Sequence, residues 1–214
     1  MEFKIENTEV YGLNKAIIAS GNAMRVEMDD NTVEAGPKDL ARAEKLGLTK
    51  AGEGHDNFLN GIIVQFDLYA PLFMWKQIQR YHWMDFISSQ STMHRLLKFD
   101  IFDQCVEDTD LVVMQRVQEL VDGYNQFVEG YNPVIDQPDF KWLREKKWRA
   151  IVASLPCGFV LGATMTTNYR QLKTIFLQRK SHKLREWHDF CSWVETLPHS
   201  YLITGKKQEE TNND

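Results

Sequence analysis

The sequence predicts a protein of mixed α/β (α+β) class, because strand-like and helix-like patterns both occur in it. Residues 62–69 (IIVQFDLY) alternate between apolar and polar side chains, as a strand with one covered face does. Residues 108–130 carry apolar side chains at three- and four-residue steps, as an amphipathic helix does. The chain has 214 residues, of which 43% are hydrophobic. We therefore expect one domain over 1–205 and a polar, disordered tail over 206–214.

Composition and charge exclude several classes of protein. The net charge of −5 argues against a dedicated nucleic-acid binder, which usually has a basic excess or stripe. No apolar run approaches the ~20 residues that a membrane span needs, and the acidic, alternating N-terminus is unlike a signal peptide. Three widely spaced cysteines without a CxxC pair are typical of a reducing compartment. We expect a cytoplasmic protein with no membrane or nucleic-acid partner.

The first sixty residues predict an edge strand and two short helices. The alternating run 3–11 (FKIENTEVY) favours the strand, and 13–25 favours a short helix that ends in a turn. A second helix is predicted over 37–46, because a proline begins it and Gly47 follows it.

In the middle of the chain, Ala70-Pro71 directly follows the strongest predicted strand. Since proline is tolerated in the first turn of a helix, we predict a helix from this pair to about His82. A polar loop is predicted to follow it, with the sequence SSQST over 88–92. The long helix over 108–130 would bury a stripe made of Val113, Val117, Val121, Tyr124 and Val128.

The final part of the chain predicts a linker over 132–138 and a helix over 139–155, which a break at Pro156-Cys157-Gly158 ends. An extended segment over 159–166 is predicted next. It is followed by a helix to Lys180 and by a last helix over 183–197. Thr167 is the residue that we expect to cap the penultimate helix.

Arg179 is the residue of that helix that most needs an explanation. It continues an apolar stripe formed by Leu172, Ile175 and Phe176. Burying an arginine without an acceptor is costly, so three alternatives remain open. Arg179 binds a ligand, it pairs with a structural carboxylate, or it reaches solvent at the helix end.

The histidines and Cys157 give weaker evidence for a functional site than Arg179 does. His82 and His94 flank the polar loop, but no HxxxH or HExxH spacing indicates a metal site, so none is expected. Cys157 follows a proline and precedes Gly158, and we interpret it as a buried thiol without an activating neighbour. No glycine-rich phosphate loop of the GxGxxG or GxxxxGK[ST] type is present.

Two blocks of the sequence resemble the flavin-dependent (ThyX-type) thymidylate synthases. The first block consists of Gly54-His55-Asp56, Phe66 in the strand, Ala70-Pro71, Gln77 and Arg80-Tyr81-His82. The second block consists of Leu155-Pro156, Thr166-Thr167-Asn168-Tyr169-Arg170, Arg179 and Ser181-His182. Together the blocks cover about half of the chain in the family's order and spacing.

The resemblance implies a central antiparallel sheet flanked by helices, and a homotetramer with FAD bound between subunits. It also implies transfer of a one-carbon unit from methylenetetrahydrofolate to C5 of dUMP, with NADPH reducing the flavin. Such chemistry belongs to the cofactor, and the protein orients and polarises the reactants.

The same resemblance implies roles for particular residues. Those that correspond to cofactor ligands are His55, Arg80, Tyr81, His82, Asn168 and Arg170. Those that correspond to substrate ligands are Gln77, Gln90, Ser91, Arg95 and Arg179, and among them Arg179, Gln77 and Ser91 correspond to catalytic positions. Arg179 would stabilise the charge that spreads onto the ring oxygens as C5 becomes nucleophilic.

The chain departs from the family at several site positions, two of which are phosphate contacts in the family. Tyr81-His82 replaces the last two residues of an Arg-His-Arg sequence, and Ser88 replaces a glutamate. Thr92 or Met93 replaces a loop arginine, and Gly162 replaces another arginine. A neutral surface holds a dianionic phosphate poorly. Two alternatives therefore remain open, which are the same flavin chemistry on another pyrimidine nucleotide and a non-catalytic nucleotide- or flavin-binding protein of the same fold.

Overall fold

The fold is described from a computed structural model, in which residues 1–28, 33–50, 52–92, 96–130 and 138–206 are described. Its centre is a four-stranded antiparallel sheet with the strand order β1-β2-β4-β3. The strands are β1 (Lys4–Tyr11), β2 (Ile63–Pro71), β3 (Asp85–Ser89) and β4 (Val160–Asn168). The predicted fold class, with a central antiparallel sheet, is confirmed.

Strand β2 has the alternating burial that its sequence predicts. Ile62, Val64, Phe66 and Leu68 are at most 1% exposed, whereas the residues between them are half-buried. Period-two alternation therefore places the apolar side chains of β2 on one covered face.

Strand β3 includes Ser88 and Ser89, the first two residues of the polar loop that was predicted over 88–92. All five of its residues are exposed, including Phe86 and Ile87. Gln90, which follows β3, still pairs with β4, because its N–H donates to the carbonyl oxygen of Gly162 at 2.8 Å. Since no face of β3 is covered, no apolar alternation marks the strand in the sequence.

The helices are α1 (Leu13–Ala19), α2 (Pro37–Gly47), α3 (Leu72–Ile78), α4 (Ile101–Gln104), α5 (Leu111–Glu129), α6 (Pro138–Ser154), α7 (Tyr169–Arg179), α8 (Arg185–Glu195) and α9 (Tyr201–Thr204). Short 3-10 helices occupy Asn22–Met24, Asn57–Gly61 and Leu96–Lys98. Within the described ranges, no helix is both long and apolar enough to cross a membrane.

The third helix is shorter than predicted. Ala70-Pro71 remains in β2, and the helix runs from Leu72 to Ile78 rather than to His82. The N–H groups of Leu72 and Phe73 donate to the carbonyl oxygens of Phe159 and Cys157, each at 3.0 Å. These two bonds hold the first turn of α3 against the chain that enters β4.

The chain forms two compact units. Unit I comprises residues 1–4, 69–80 and 88–163, and unit II comprises residues 5–68, 81–87 and 164–214. The core of unit I is built around α5 and α6, with Ile101, Cys105, Met114, Val117, Val121, Tyr124, Ile151 and Phe159. The core of unit II includes Ile17, Leu59, Phe66, Tyr169, Trp187 and Phe190.

The buried stripe of α5 begins one residue later than predicted. Val113 is 43% exposed, and Met114 takes its place at 5% exposure. Asp110 caps this helix, because its carboxylate accepts the N–H groups of Val112 and Val113 at 2.9 and 3.1 Å. Leu111 and Val112 in the first turn are 70% and 74% exposed, so the buried stripe starts only at Met114.

Two valine truncations on α5 test this assignment. Val121→Ala should lower the free energy of unfolding by about 2 kcal/mol, because it removes two methyl groups from a packed core. Val113→Ala should change it by less than ~0.5 kcal/mol, since Val113 is exposed and alanine is the better helix former. Urea unfolding followed by circular dichroism measures both. Equal losses for the two variants would contradict the assigned register.

Candidate functional site

The first turn of α7 carries two of the predicted cofactor-binding residues. Asn168 caps the helix: its side-chain oxygen accepts the N–H of Gln171 at 2.9 Å, and the Gln171 side-chain oxygen accepts the N–H of Asn168 at 3.2 Å. The prediction that Thr167 is the cap is wrong. The Thr167 hydroxyl instead donates to the carbonyl oxygen of Trp83 at 2.6 Å, so this side chain ties the end of β4 to the turn before β3.

Capping occupies only one end of the Asn168 amide. Its oxygen accepts from the backbone, which fixes the side-chain orientation and leaves the amide nitrogen as a donor at the start of α7. A helix of 11 residues also presents the positive end of its dipole at this point. The first turn of α7 is therefore suited to a ligand that carries negative charge.

Arg170 is the second residue of α7, and it pairs with Asp56. Its Nε is 3.2 Å from Oδ1 of Asp56, and the Asp56 side chain is 2% exposed whereas that of Arg170 is 35% exposed. Oδ1 of Asp56 has no well-aligned hydrogen bond among the described residues, so the contact is ionic rather than directional. The buried carboxylate anchors one edge of the guanidinium, and part of the guanidinium remains accessible.

Lys173 completes this cluster from the next turn of α7. Its Nζ donates to Oδ2 of Asp56 at 2.9 Å and to the carbonyl oxygens of Gly47 and Thr49 at 2.8 and 2.7 Å. The lysine side chain is 7% exposed, so its three donors are all satisfied inside the protein. The sequence predicts no role for Lys173, and it shows Asp56 only as part of the first block, because neither residue belongs to a periodic pattern that predicts burial.

His55 directly precedes Asp56 and is exposed. The cluster therefore brings the predicted residue His55 into one neighbourhood with Arg170, through the contact between Asp56 and Arg170. Asn168 begins the same helix turn. Three of the predicted cofactor ligands thus lie together in unit II.

Arg179, at the end of α7, lies in an aromatic corner formed by Tyr81 and Trp187. Its guanidinium carbon is 4.6 Å from the centre of the Tyr81 ring and 4.7 Å from the centre of the Trp187 ring. The two rings are 6.0 Å apart and inclined at 70°. Contacts of this kind between a cation and an aromatic face stabilise by roughly 0.5 to 2 kcal/mol.

The aromatic corner explains how an arginine continues an apolar stripe, but it does not satisfy the side chain. Nε of Arg179 is buried and has no hydrogen-bond partner among the described residues. A buried, unpaired donor costs ~1 to 3 kcal/mol. Among the described residues no carboxylate pairs with Arg179, so a bound ligand and solvent at the helix end are the two alternatives that the geometry leaves open.

Neighbouring residues fix the aromatic corner. The Tyr81 hydroxyl donates to the side-chain oxygen of Gln178 at 3.2 Å, which ties the tyrosine to α7. Trp187 is fully buried and packs edge-on against Phe190, with ring centres 5.6 Å apart. Trp187 was missed by the sequence analysis, because tryptophan on an amphipathic helix is an ordinary core residue. His82, a further predicted cofactor ligand in unit II, is exposed.

His182 lies close to Arg179, and its surroundings lower its pKa. Loss of hydration, the positive charge of Arg179 and the neighbouring His188 together hold the pKa of His182 below its ordinary value of 6.5. Its Nδ1 accepts the N–H of Leu184 at 3.1 Å, and its ring centre is 6.3 Å from that of Trp187. The neutral imidazole is therefore the form that the fold favours.

The other predicted site residues belong to unit I. Gln77 is half-buried on α3, Arg80 is exposed just beyond this helix, and Ser91 is half-buried after β3. Arg95 and His94 lie outside the described residues.

Gln90 forms hydrogen bonds with Gly162 of the neighbouring strand β4. Its side-chain oxygen accepts the N–H of Gly162 at 2.9 Å, in addition to the backbone bond between the same residues. At Gly162, a Cβ would lie 2.8 Å from the ring of Tyr69, so the tyrosine fills the space that a side chain would need. Lys4 lies over the same ring at 4.6 Å from its centre.

The cysteines differ in exposure, and the prediction for Cys157 is wrong. Cys157 is exposed, with Nζ of Lys76 3.5 Å from its sulfur. The break at Pro156-Cys157-Gly158 places it in a surface turn rather than in the core. Burial raises the pKa of both Cys105 and Cys191 to about 11, which makes these thiols poor nucleophiles. In the described part of the chain, no three His, Cys, Asp or Glu side chains are grouped as metal ligands.

Comparison with solved structures shows which class of protein has this fold. The chain has the fold of the flavin-dependent thymidylate synthases, which confirms the resemblance at the level of structure. No protein-family model and no curated protein matches the sequence.

Three solved structures define the similarity. ThyX from Helicobacter pylori, complexed with FAD and dUMP, has a TM-score of 0.66 at 16% identity, over 97% of this chain and 100% of that chain. A second structure of Helicobacter pylori ThyX with FAD and dUMP has a TM-score of 0.64 at 17% identity, over 96% and 98%. The UMP/dUMP methylase PolB from Streptomyces cacaoi, bound with 5-Br dUMP, has a TM-score of 0.60 at 15% identity, over 95% of each chain.

Two substitutions separate the capping role of Asn168 from its general contribution to packing. Asn168→Ala should lower the free energy of unfolding by about 1 kcal/mol, because the cap of α7 is lost. Asn168→Asp should leave it nearly unchanged, since aspartate caps as well and suits the helix dipole. Chemical denaturation measures both. An Asp variant as unstable as the Ala variant would show that the cap is not what Asn168 contributes.

The pKa of His182 depends on its distance from the charge of Arg179, and it also makes the stability of the protein depend on pH. Because the folded-state pKa lies below 6.5, the contribution of His182 to stability is complete above pH 6.5 and is lost as the pH falls through the folded-state pKa. NMR titration should give a pKa below 6.5, and Arg179→Gln should raise it, because a repelling positive charge is removed. A pKa that Arg179→Gln leaves unchanged would contradict the proximity of the two side chains.

Proposed function

We propose that this protein binds FAD and transfers a one-carbon unit to C5 of a pyrimidine deoxynucleotide, with methylenetetrahydrofolate and NADPH as co-substrates. The default substrate is dUMP, which would be converted to dTMP. The observation that carries the proposal is Arg179, whose buried Nε lacks a partner in a chain that has the fold of flavin-dependent thymidylate synthases. Its cysteines suit the cytoplasm, where we propose that the protein acts.

The donors around the start of α7 fit the pyrophosphate of FAD. Arg170 supplies a partly exposed guanidinium, Asn168 supplies an amide nitrogen, and His55 supplies an exposed imidazole. Cationic and N–H donors at a helix N-terminus are the groups that bind phosphate oxygens well. Arg80, Tyr81 and His82 remain proposed contributors from the segment that follows α3. When bound, the flavin supplies the redox chemistry of the reaction.

Arg179 is proposed to orient and polarise the pyrimidine. A guanidinium is planar and permanently charged, so it can donate to a carbonyl oxygen of the base and favour negative charge there. Tyr81 and Trp187 keep this charge in a poorly hydrated corner, where electrostatic stabilisation is stronger than in water. Gln77 and Ser91 are proposed as further catalytic residues, and Gln90 and Arg95 as further substrate ligands.

A second candidate function keeps the flavin chemistry but changes the pyrimidine nucleotide. It is favoured by the surroundings of Gly162, where Tyr69 occupies the space beside β4 and Gln90 bonds to the backbone. The related fold of PolB, a UMP/dUMP methylase, supports the idea that this architecture serves more than one nucleotide. In this second candidate function, the reaction would be methylation or hydroxymethylation of a cytosine nucleotide.

The assembly that we propose is a homotetramer. Its support is β3, whose exposed strand carries Phe86 and Ile87 at 45% and 50% exposure. An exposed apolar strand at the edge of a sheet is a surface that proteins usually cover.

The flavin spectrum tests the first part of the proposal. The purified protein should take up FAD and show bound-flavin absorbance, and release of tritium from C5-labelled dUMP, with NADPH and methylenetetrahydrofolate, should follow. Release from labelled dCMP instead would favour the second candidate. A protein that takes up no FAD would refute both.

A variant of Arg179 tests the second part. Arg179→Ala should reduce the affinity for the nucleotide at least ten-fold and leave FAD bound, because the proposed contact is to the base. Arg116→Ala is the matched control, since Arg116 is 68% exposed and pairs only with Glu119 among the described residues. Calorimetric titration with dUMP measures the nucleotide affinity. Unchanged affinity in Arg179→Ala would refute the assignment.

A further inference from the structure

Lys173 is a buried cation that joins α7 to the end of α2 and to Asp56. Its ammonium group contacts the end of α2 at Gly47, the residue Thr49 beyond it, and the carboxylate of Asp56. All three acceptors lie between 2.7 and 2.9 Å from Nζ. Each of the three donors of the lysine therefore fixes a different point of the chain that leads to His55.

Asp56 extends the connection to the first turn of α7. One of its oxygens accepts from Lys173 on the inner side, and the other faces Arg170 at 3.2 Å. Asp56 is 1% exposed, so a charge on it requires these two cations. Three charged side chains are therefore in contact in series: the buried Lys173, the buried Asp56 and the partly exposed Arg170.

Stability alone is a weak reason for such an arrangement. Buried ion pairs lose hydration on folding, and replacing a pair by apolar side chains of the same size is often neutral or stabilising. What an ion pair adds is geometry, because the charged partners tolerate little displacement. The geometry that is fixed here is the position of Arg170 relative to His55.

We infer that Asp56 and Lys173 are positioning residues for flavin binding, which hold His55 and Arg170 in the arrangement that the FAD pyrophosphate requires. The inference rests on the proposed function, since Arg170 and His55 are its proposed FAD ligands. Neither positioning residue touches the cofactor. Lys173 acts through Asp56, and Asp56 acts through Arg170 and through the backbone that carries His55.

Lys173→Met tests the inference, because methionine has a similar length and no charge. The dissociation constant for FAD, measured by quenching of flavin fluorescence, should rise at least ten-fold. Amide exchange followed by NMR should become faster in residues 52–56 and stay unchanged in α8, which a general loss of stability would not produce. Lys180→Met is the matched control, since Lys180 is exposed at the end of the same helix, and it should behave as the wild type.

Asp56→Asn is the second variant, and it decides the question by the same two measurements if Lys173→Met does not fold. It removes the charge opposite Arg170 and leaves the bonds from Lys173 to Gly47 and Thr49 in place. FAD affinity should therefore fall, with a smaller change in amide exchange than in Lys173→Met.

The outcomes separate this inference from the proposed function. Wild-type protein that takes up no FAD refutes the proposed function and the inference together. Wild-type protein that binds FAD, with variants that bind it within two-fold as tightly, overturns the inference alone. Faster exchange to the same extent in residues 52–56 and in α8 also overturns it, because the cluster would then only stabilise the fold.

Discussion

The buried carboxylate of Asp56 is the constraint on which the candidate flavin site depends. A charge that is 1% exposed must be compensated, and the two compensating cations both come from α7. This requirement joins the segment that carries His55 to the helix that carries Asn168 and Arg170. The capping of α7 by Asn168 sets where the helix begins, and so it sets which turn faces Asp56. The cap at Asn168 and the ion pairs of Asp56 therefore fix the same part of α7.

At the other end of α7, aromatic rings surround the charge of Arg179. Arg179 continues the apolar stripe of the helix, and aromatic rings rather than carboxylates receive its charge. Aromatic faces attract a cation without neutralising it, so the guanidinium keeps its charge for another acceptor. The same positive charge helps to keep His182 neutral. Among the described residues, one helix thus presents an arginine anchored by a carboxylate at its start and an arginine held by aromatic rings at its end.

Sequence patterns predicted those features that depend on local periodicity. The alternation of β2, the existence of α5 to α8 and the unusual position of Arg179 all follow from such periods. Features that depend on partners far along the chain were not predictable. Strand β3 has no covered face, Lys173 has its acceptors more than a hundred positions away, and Trp187 resembles any core tryptophan. The cap of α7 was predicted one residue early, because threonine and asparagine both cap helices and only the structure shows that Thr167 bonds to Trp83.

The fold is shared with ThyX and with PolB at identities of 15% to 17%, so it is retained although most positions differ. The central claim is that the start of α7 and the segment before β2 hold one flavin. Amide exchange of the wild-type protein with and without FAD tests this claim most directly. Bound FAD should slow amide exchange in residues 52–56 and 168–171 together. Protection at only one of these segments, or at neither while FAD is bound, would contradict it.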